Sequence, residues 1–152
     1  MYIRPKHVVA SASRLEYWHA TTHGTNWVKI ESTERSAWKR TGTAAWEFNV
    51  IRFNGTDEID FFLNGSHIGN NSSTVSMNNQ NTNKPTRIGA GRTEGAVMYF
   101  FKGKIDDVAI WDEALTNAEI TALYNSGESL YAKENYGDYT SKDNLTAYYT
   151  MD

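Results

Sequence analysis

The chain contains no cysteine in its 152 residues. This excludes a disulfide framework and any thiolate metal site, but it leaves the compartment open, because a sandwich of this size holds together without bridges. No apolar run approaches the roughly 20 residues that a membrane-crossing helix needs. Neither sign of charge dominates. The net charge is −3 with both signs scattered, which gives no electrostatic footprint for nucleic acid or an anionic membrane. The opening "MYIRPKHVVASAS" is basic but lacks the apolar centre of a secretion signal. The expectation is that a protein working outside a cell leaves by another route, or that this is a processed piece. There are only two prolines, and long helical periodicity is missing.

What is present is Asn, Ser, Thr, Gly and aromatic residue in quantity, the profile of an all-β domain with many polar turns. The length is that of one domain, 1–152, able to bury roughly 70% of its unfolded surface. Strand-like runs recur along it: "HVVASAS", "LEYWHA", "NWVKIES", "AWEFNVIRFNG", "EIDFFL", "SHIGN", "TRIGAG" and "AVMYFFKGKIDDVAIWD". In the fourth, alternation sets Trp46, Phe48, Val50 and Arg52 on one face and Glu47, Asn49, Ile51 and Phe53 on the other. One helix is predicted at 116–125. Thr116 is its N-cap, Glu119 completes a capping box, and Leu115 staples onto Ile120. Gly127 suits a left-handed stop. The tail 128–152 is polar until "LTAYYTM", which reads as a last strand at 145–151.

The stretch "TDEIDFFLNGSHIG" carries two readings. Carboxylates two apart on a strand share a face, and a retaining glycosidase needs two of them about 5 Å apart. Glu58 and Asp60 fit the first two places and resemble the active-site strand of laminarinase-like glycoside hydrolases. There a second Glu follows Asp60 by two or three residues; here those places hold Phe62 and Leu63, so the acid/base is missing. The alternative is a hairpin turning at Asn64-Gly65, since a type I′ turn needs positive φ at both central residues. Then Ile59, Phe61 and Leu63 share one face and Asp60 and Phe62 the other, a face covered in part by a partner or by loops.

Other chemistry is sparse. Asp106-Asp107 offers oxygen ligands for Ca²⁺, against a structural use in which Asp106 accepts backbone hydrogen bonds. Alternation puts Asp106 on the side of Val108 and Ile110, with Asp107 opposite. His19 and His23 have a helical zinc spacing, but the segment reads as strand and turn with no third ligand, so no metal site is assigned. Among five tryptophans, Trp38 has polar and basic neighbours and can stack on a sugar or anchor an interface. The candidate ligand-binding residues are Trp38, Asp60 and Phe62, with no catalytic residue.

In "FKGKIDDVAIWDEALTNAEITALYNSG", Gly103, Ile105, Asp106, Asp107, Val108, Ile110, Trp111, Ala114, Leu115, Thr116, Glu119, Ile120, Leu123 and Tyr124 follow in order the closing segment of laminin-G-like and pentraxin-like domains. Upstream, Trp46, Asn54-Gly55, "FFLNGSHIG" and "RIGAG" match as well. The chain therefore resembles this branch of the concanavalin A-like lectin/glucanase superfamily over about residues 45–127. The resemblance implies a jelly-roll β-sandwich of two antiparallel sheets with one short helix near the C-terminal part, and Trp46 and Trp111 in or near its core. It also implies that "LTAYYTMD" fills the first-strand place, pairing within its own chain, as in a circular permutation, or in a neighbouring subunit. The superfamily holds lectins, adhesion modules and enzymes alike.

The resulting expectation is a non-catalytic displayed module. It is a phage virion decoration or appendage protein, with glycan or host-surface adhesion and with protein partners in a larger assembly or homo-oligomer. A cellular lectin-like module and a degenerate glycoside hydrolase are the alternatives. No cofactor is assigned beyond the Ca²⁺ weighed at Asp106-Asp107, and the location is a virion surface or the extracellular or cell surface.

Overall fold

A computed structural model describes residues 2–7, 12–22, 26–31, 35–36, 46–53, 58–72, 87–93, 96–98, 100–101, 103–128 and 131–151. Strands dominate, and every pairing among them is antiparallel. In one sheet β1 (Tyr2–His7), β2 (Ala12–Thr22) and β3 (Asn26–Glu31) lie in order, and the short β4 (Arg35–Ser36) pairs with β2. In the other, β5 (Asn49–Phe53), β6 (Glu58–Leu63) and β7 (Ser66–Ser72) form a meander. β3 runs close to β7. Two further pairs are β8 (Gly91–Thr93) with β9 (Ala96–Met98), and β10 (Val108–Trp111) with β11 (Leu145–Tyr149). Among the described residues the single α-helix, α1, spans Asn117–Tyr124 near the C-terminus. The architecture is an all-β jelly-roll sandwich with one short helix.

The hairpin reading of the central stretch holds. Asn64 and Gly65 have φ of 49° and 75°, and Leu63 pairs with Ser66 across a two-residue turn. The turn is tied back to β5, because Phe48 N–H donates to Asn64 Oδ1 at 2.9 Å and Asn64 N–H donates to Phe48 O at 2.8 Å. Strand β6 is buried on both faces. Ile59 and Phe61 pack with Ile51, Phe53 and Ile68. On the opposite face Phe62 joins Leu115, Ile120, Leu123, Ala132 and Tyr139, with Phe48, Val50, Trp111 and Leu145 around them. The face shared by Asp60 and Phe62 is thus covered by α1 and its flanks, elements of the same chain.

Helix α1 forms for local reasons and stays for tertiary ones. The Thr116 hydroxyl accepts from Glu119 N–H, and the Glu119 carboxylate accepts from Thr116 N–H at 2.9 Å, the reciprocal box predicted from the sequence. Leu115 and Ile120 are both buried. Eight residues are too few to persist alone in water, so docking of Ile120 and Leu123 on β6 supplies the balance. The helix ends earlier than Gly127 suggests. Asn125 already has φ 41°, followed by Ser126 at 57° and Gly127 at 99°, and Asn125 tolerates that left-handed geometry better than most residues. Thr121 hydroxyl donates to Gly65 O at 3.1 Å, fixing the helix to the hairpin turn.

The tail is more than a polar run with a strand at its end. Tyr139 is fully buried. Its hydroxyl donates to Ala132 O at 2.7 Å and accepts from Trp111 Nε1–H at 2.9 Å. Burial pushes the Tyr139 hydroxyl pKa up. Glu119 reaches the same segment, accepting from the hydroxyls of Ser141 and Thr140 and from Thr140 N–H. The last strand then pairs with β10 of the same chain, Val108 opposite Tyr149 and Ile110 opposite Ala147, with a register shift before Trp111 meets Leu145.

Candidate functional site

The first place to gather charged and aromatic side chains lies on the strand that the sequence singles out. In the β5–β6 register Arg52 is opposite Asp60. Arg52 Nε and Nη2 both donate to Asp60 Oδ2, at 3.0 and 2.8 Å. The other carboxylate oxygen, Oδ1, lies 2.9 Å from His67 Nε2 on β7. Arg52 Nη1 continues outward to Leu115 O and Asn117 Oδ1, both at 2.8 Å, at the start of α1. Its guanidinium stands 4.8 Å from the Phe62 ring centroid, and the His67 ring stands 5.0 Å from the same ring. Asp60 is 6% exposed and Phe62 1%. Burying a carboxylate is costly unless it is paired and fully hydrogen-bonded, and Arg52 with His67 meets that requirement. Glu58 sits at the strand's edge, beside the Asn70 side-chain amide, which donates to its Oε1.

The arrangement therefore joins two of the three sequence-nominated residues, Asp60 and Phe62, inside the packed layer between β6 and α1. The third, Trp38, lies outside the described residues, as does His23. Sequence reasoning missed Arg52 and His67 as the partners of Asp60. The signal was available in the register, because once the Asn64-Gly65 turn is fixed, the residue facing Phe62 on the next strand is His67.

The second place is at the end of the β10–β11 pair. Asp106 Oδ1 accepts from Asp107 N–H at 2.9 Å and from Met151 N–H at 3.1 Å, the structural use weighed for it. Strand alternation does not reach these residues: β10 starts at Val108, and Asp107 has φ 50°. Asp107 consequently turns toward β11 and accepts from the Tyr148 hydroxyl. Tyr148 meets Tyr131 edge-to-face, with centroids 5.4 Å apart. Lys133 Nζ lies 5.5 Å from one ring centroid and 5.6 Å from the other. Burial, followed by the hydrogen bond to Asp107, drives the Tyr148 pKa well above the ordinary phenol range. Tyr131 is 49% exposed. Among the described residues no three or more His, Asp or Glu side chains gather as a metal site would require.

Trp111 is half-buried against the core, where the resemblance places it. Trp46 is not; it is 61% exposed. Trp46 lies three residues before strand β5, which begins at Asn49, so strand alternation does not set its direction.

A family profile described as the concanavalin A-like lectin/glucanases superfamily, of the laminin-G type, matches residues 7–121. Comparison with curated proteins gives no match, and neither does comparison with solved structures. The profile spans well over half of the chain and covers the strands β5 to β10 and the capping box of α1, so the chain belongs to the concanavalin A-like lectin/glucanase superfamily.

Proposed function

We propose that this chain is a non-catalytic module that binds carbohydrate or adheres to a surface ligand. The family supports a carbohydrate-binding or adhesion-type module. The observation that carries the non-catalytic part is the state of Asp60. A glycosidase of this type presents two carboxylates to a substrate cleft. Here Asp60, the middle carboxylate of the pattern, is buried under α1, with both oxygens engaged by Arg52 and His67. The place two residues on, where the acid/base belongs, holds core residue Phe62. Exposed aromatics at Trp46 and Tyr131 supply the kind of flat apolar surface on which sugars and protein partners dock.

A glycan array probed with the purified chain, with and without Ca²⁺, tests this reading. Retention on a defined set of glycans, without hydrolysis, is the expected result. The finer part of the proposal is display on a phage virion within a larger protein assembly. Co-sedimentation of the chain with intact particles, traced by mass spectrometry, tests that part separately, and its absence from particles overturns it.

A further inference from the structure

We propose that Tyr131, Tyr148 and Lys133 form a binding site for a neutral sugar ring. The proposal rests on the carbohydrate-binding reading above and gives it a place. The site is built from the tail and β11, which lie beyond the family-matched residues 7–121.

Three observations carry it. First, both rings have defined neighbours. Tyr148 is anchored through its hydroxyl to Asp107 and through its ring to the core around Phe62, and Tyr131 rests edge-to-face on it. A pre-oriented aromatic surface loses little conformational freedom when a ligand stacks on it. Second, the Lys133 ammonium is stationed over both rings, and no carboxylate pairs with it among the described residues. It has three N–H donors within reach of whatever lies on the rings, and sugar hydroxyls accept such bonds. Third, Tyr131 is half-exposed, so part of the residue is accessible to an incoming ligand.

Charge selects the sugar class. Among the described residues Lys133 is the cation seen over this ring pair, while Asp106 and Asp107 both stand beside Tyr148. The carboxylates outnumber the ammonium, which disfavours uronic and sialic acids and leaves neutral hexoses as the fitting ligand.

Calorimetric titration of the intact chain with soluble neutral gluco-, manno- and galacto-oligosaccharides tests the site, with an oligo-uronate as the acidic comparison. The wild-type chain is expected to bind at least one neutral series and not the uronate. Tyr131→Ala weakens that binding at least about tenfold, in line with the loss of a central aromatic contact. Tyr131→Phe, which keeps the ring, stays within about threefold. Lys133→Ala, an exposed change that does not touch the core, weakens binding several-fold and serves should Tyr131→Ala fail to fold. Undiminished binding by Tyr131→Ala and Lys133→Ala overturns this site while leaving the carbohydrate-binding reading intact. Preference for the uronate overturns the assignment to neutral sugars. Silence toward every neutral series overturns the site, and silence on the glycan array as well overturns the reading beneath it.

Discussion

Arg52 grips one oxygen of Asp60 with two nitrogens, at 3.0 and 2.8 Å, across adjacent strands and beneath a helix. This pair bears on the structural reading proposed for Asp60. A catalytic carboxylate exchanges protons or attacks an anomeric carbon, so it must reach substrate. Asp60 reaches Arg52 and His67 instead, and through Arg52 it fixes the backbone oxygen of Leu115 at the entry to α1. Its role is to join β5, β6, β7 and the helix.

Asp60→Asn is therefore expected to destabilise the fold by about 2–4 kcal/mol, because a half-buried guanidinium loses its counter-charge. The urea midpoint measures this. A variant as stable as the wild type contradicts the assigned role.

Glu119 makes stability depend on acid. Burial alone would raise its pKa, but hydrogen bonds from the Ser141 hydroxyl, from Thr116 N–H and hydroxyl, and from Thr140 N–H outweigh it and hold the group at about 2, against an ordinary 4.5. A carboxyl with a depressed native pKa adds stability that is complete above its unfolded value and fades as pH falls below about 4.5 toward 2. The full contribution is on the order of 3 kcal/mol. Glu119→Gln should lower the urea midpoint at pH 7 and approach the wild-type curve near pH 3. A constant gap between the two proteins over that range contradicts the account.

Gly65 is constrained twice. Its φ is +75°, and a Cβ there meets Tyr124 side-chain atoms at 3.1 and 3.3 Å. Gly65→Ala should cost about 1–3 kcal/mol through backbone strain and displacement of α1. Thermal unfolding checks this, and an unchanged melting temperature contradicts it.

Tyr139→Phe tests whether the tail is integral to the core. The ring stays buried, but Ala132 O loses its donor and Trp111 Nε1–H its acceptor. The expected cost is about 1–3 kcal/mol, read as a lower denaturant midpoint with an unchanged slope. A neutral result means that water satisfies both groups and that the tail is held by β11 alone.

Local signals in the chain were sufficient wherever local chemistry decides the outcome. Asn64-Gly65 specified its turn because few residues adopt positive φ twice in succession. Thr116 and Glu119 specified the start of α1 because a capping box is self-contained. The features that were not legible depend on contacts distant in sequence. Tyr139 looks like one more tyrosine in a polar tail until Trp111, 28 residues earlier, supplies its partner. Asp107 was assigned by strand alternation, yet its positive φ turns it toward Tyr148, 41 residues later. Trp46 was assigned by the same alternation, although it lies three residues before β5 begins. For the candidate site, Asp60 and Phe62 were correctly placed on one face. What covers that face was invisible, because α1 returns to it from more than fifty residues downstream.

The most direct test of the proposal that the chain is non-catalytic, with Asp60 serving the fold, is reducing-end release from a panel of β-glucans by the purified wild-type chain beside Asp60→Asn. The account predicts no release above the enzyme-free blank from either protein. Measurable release by the wild type that disappears in Asp60→Asn would contradict it.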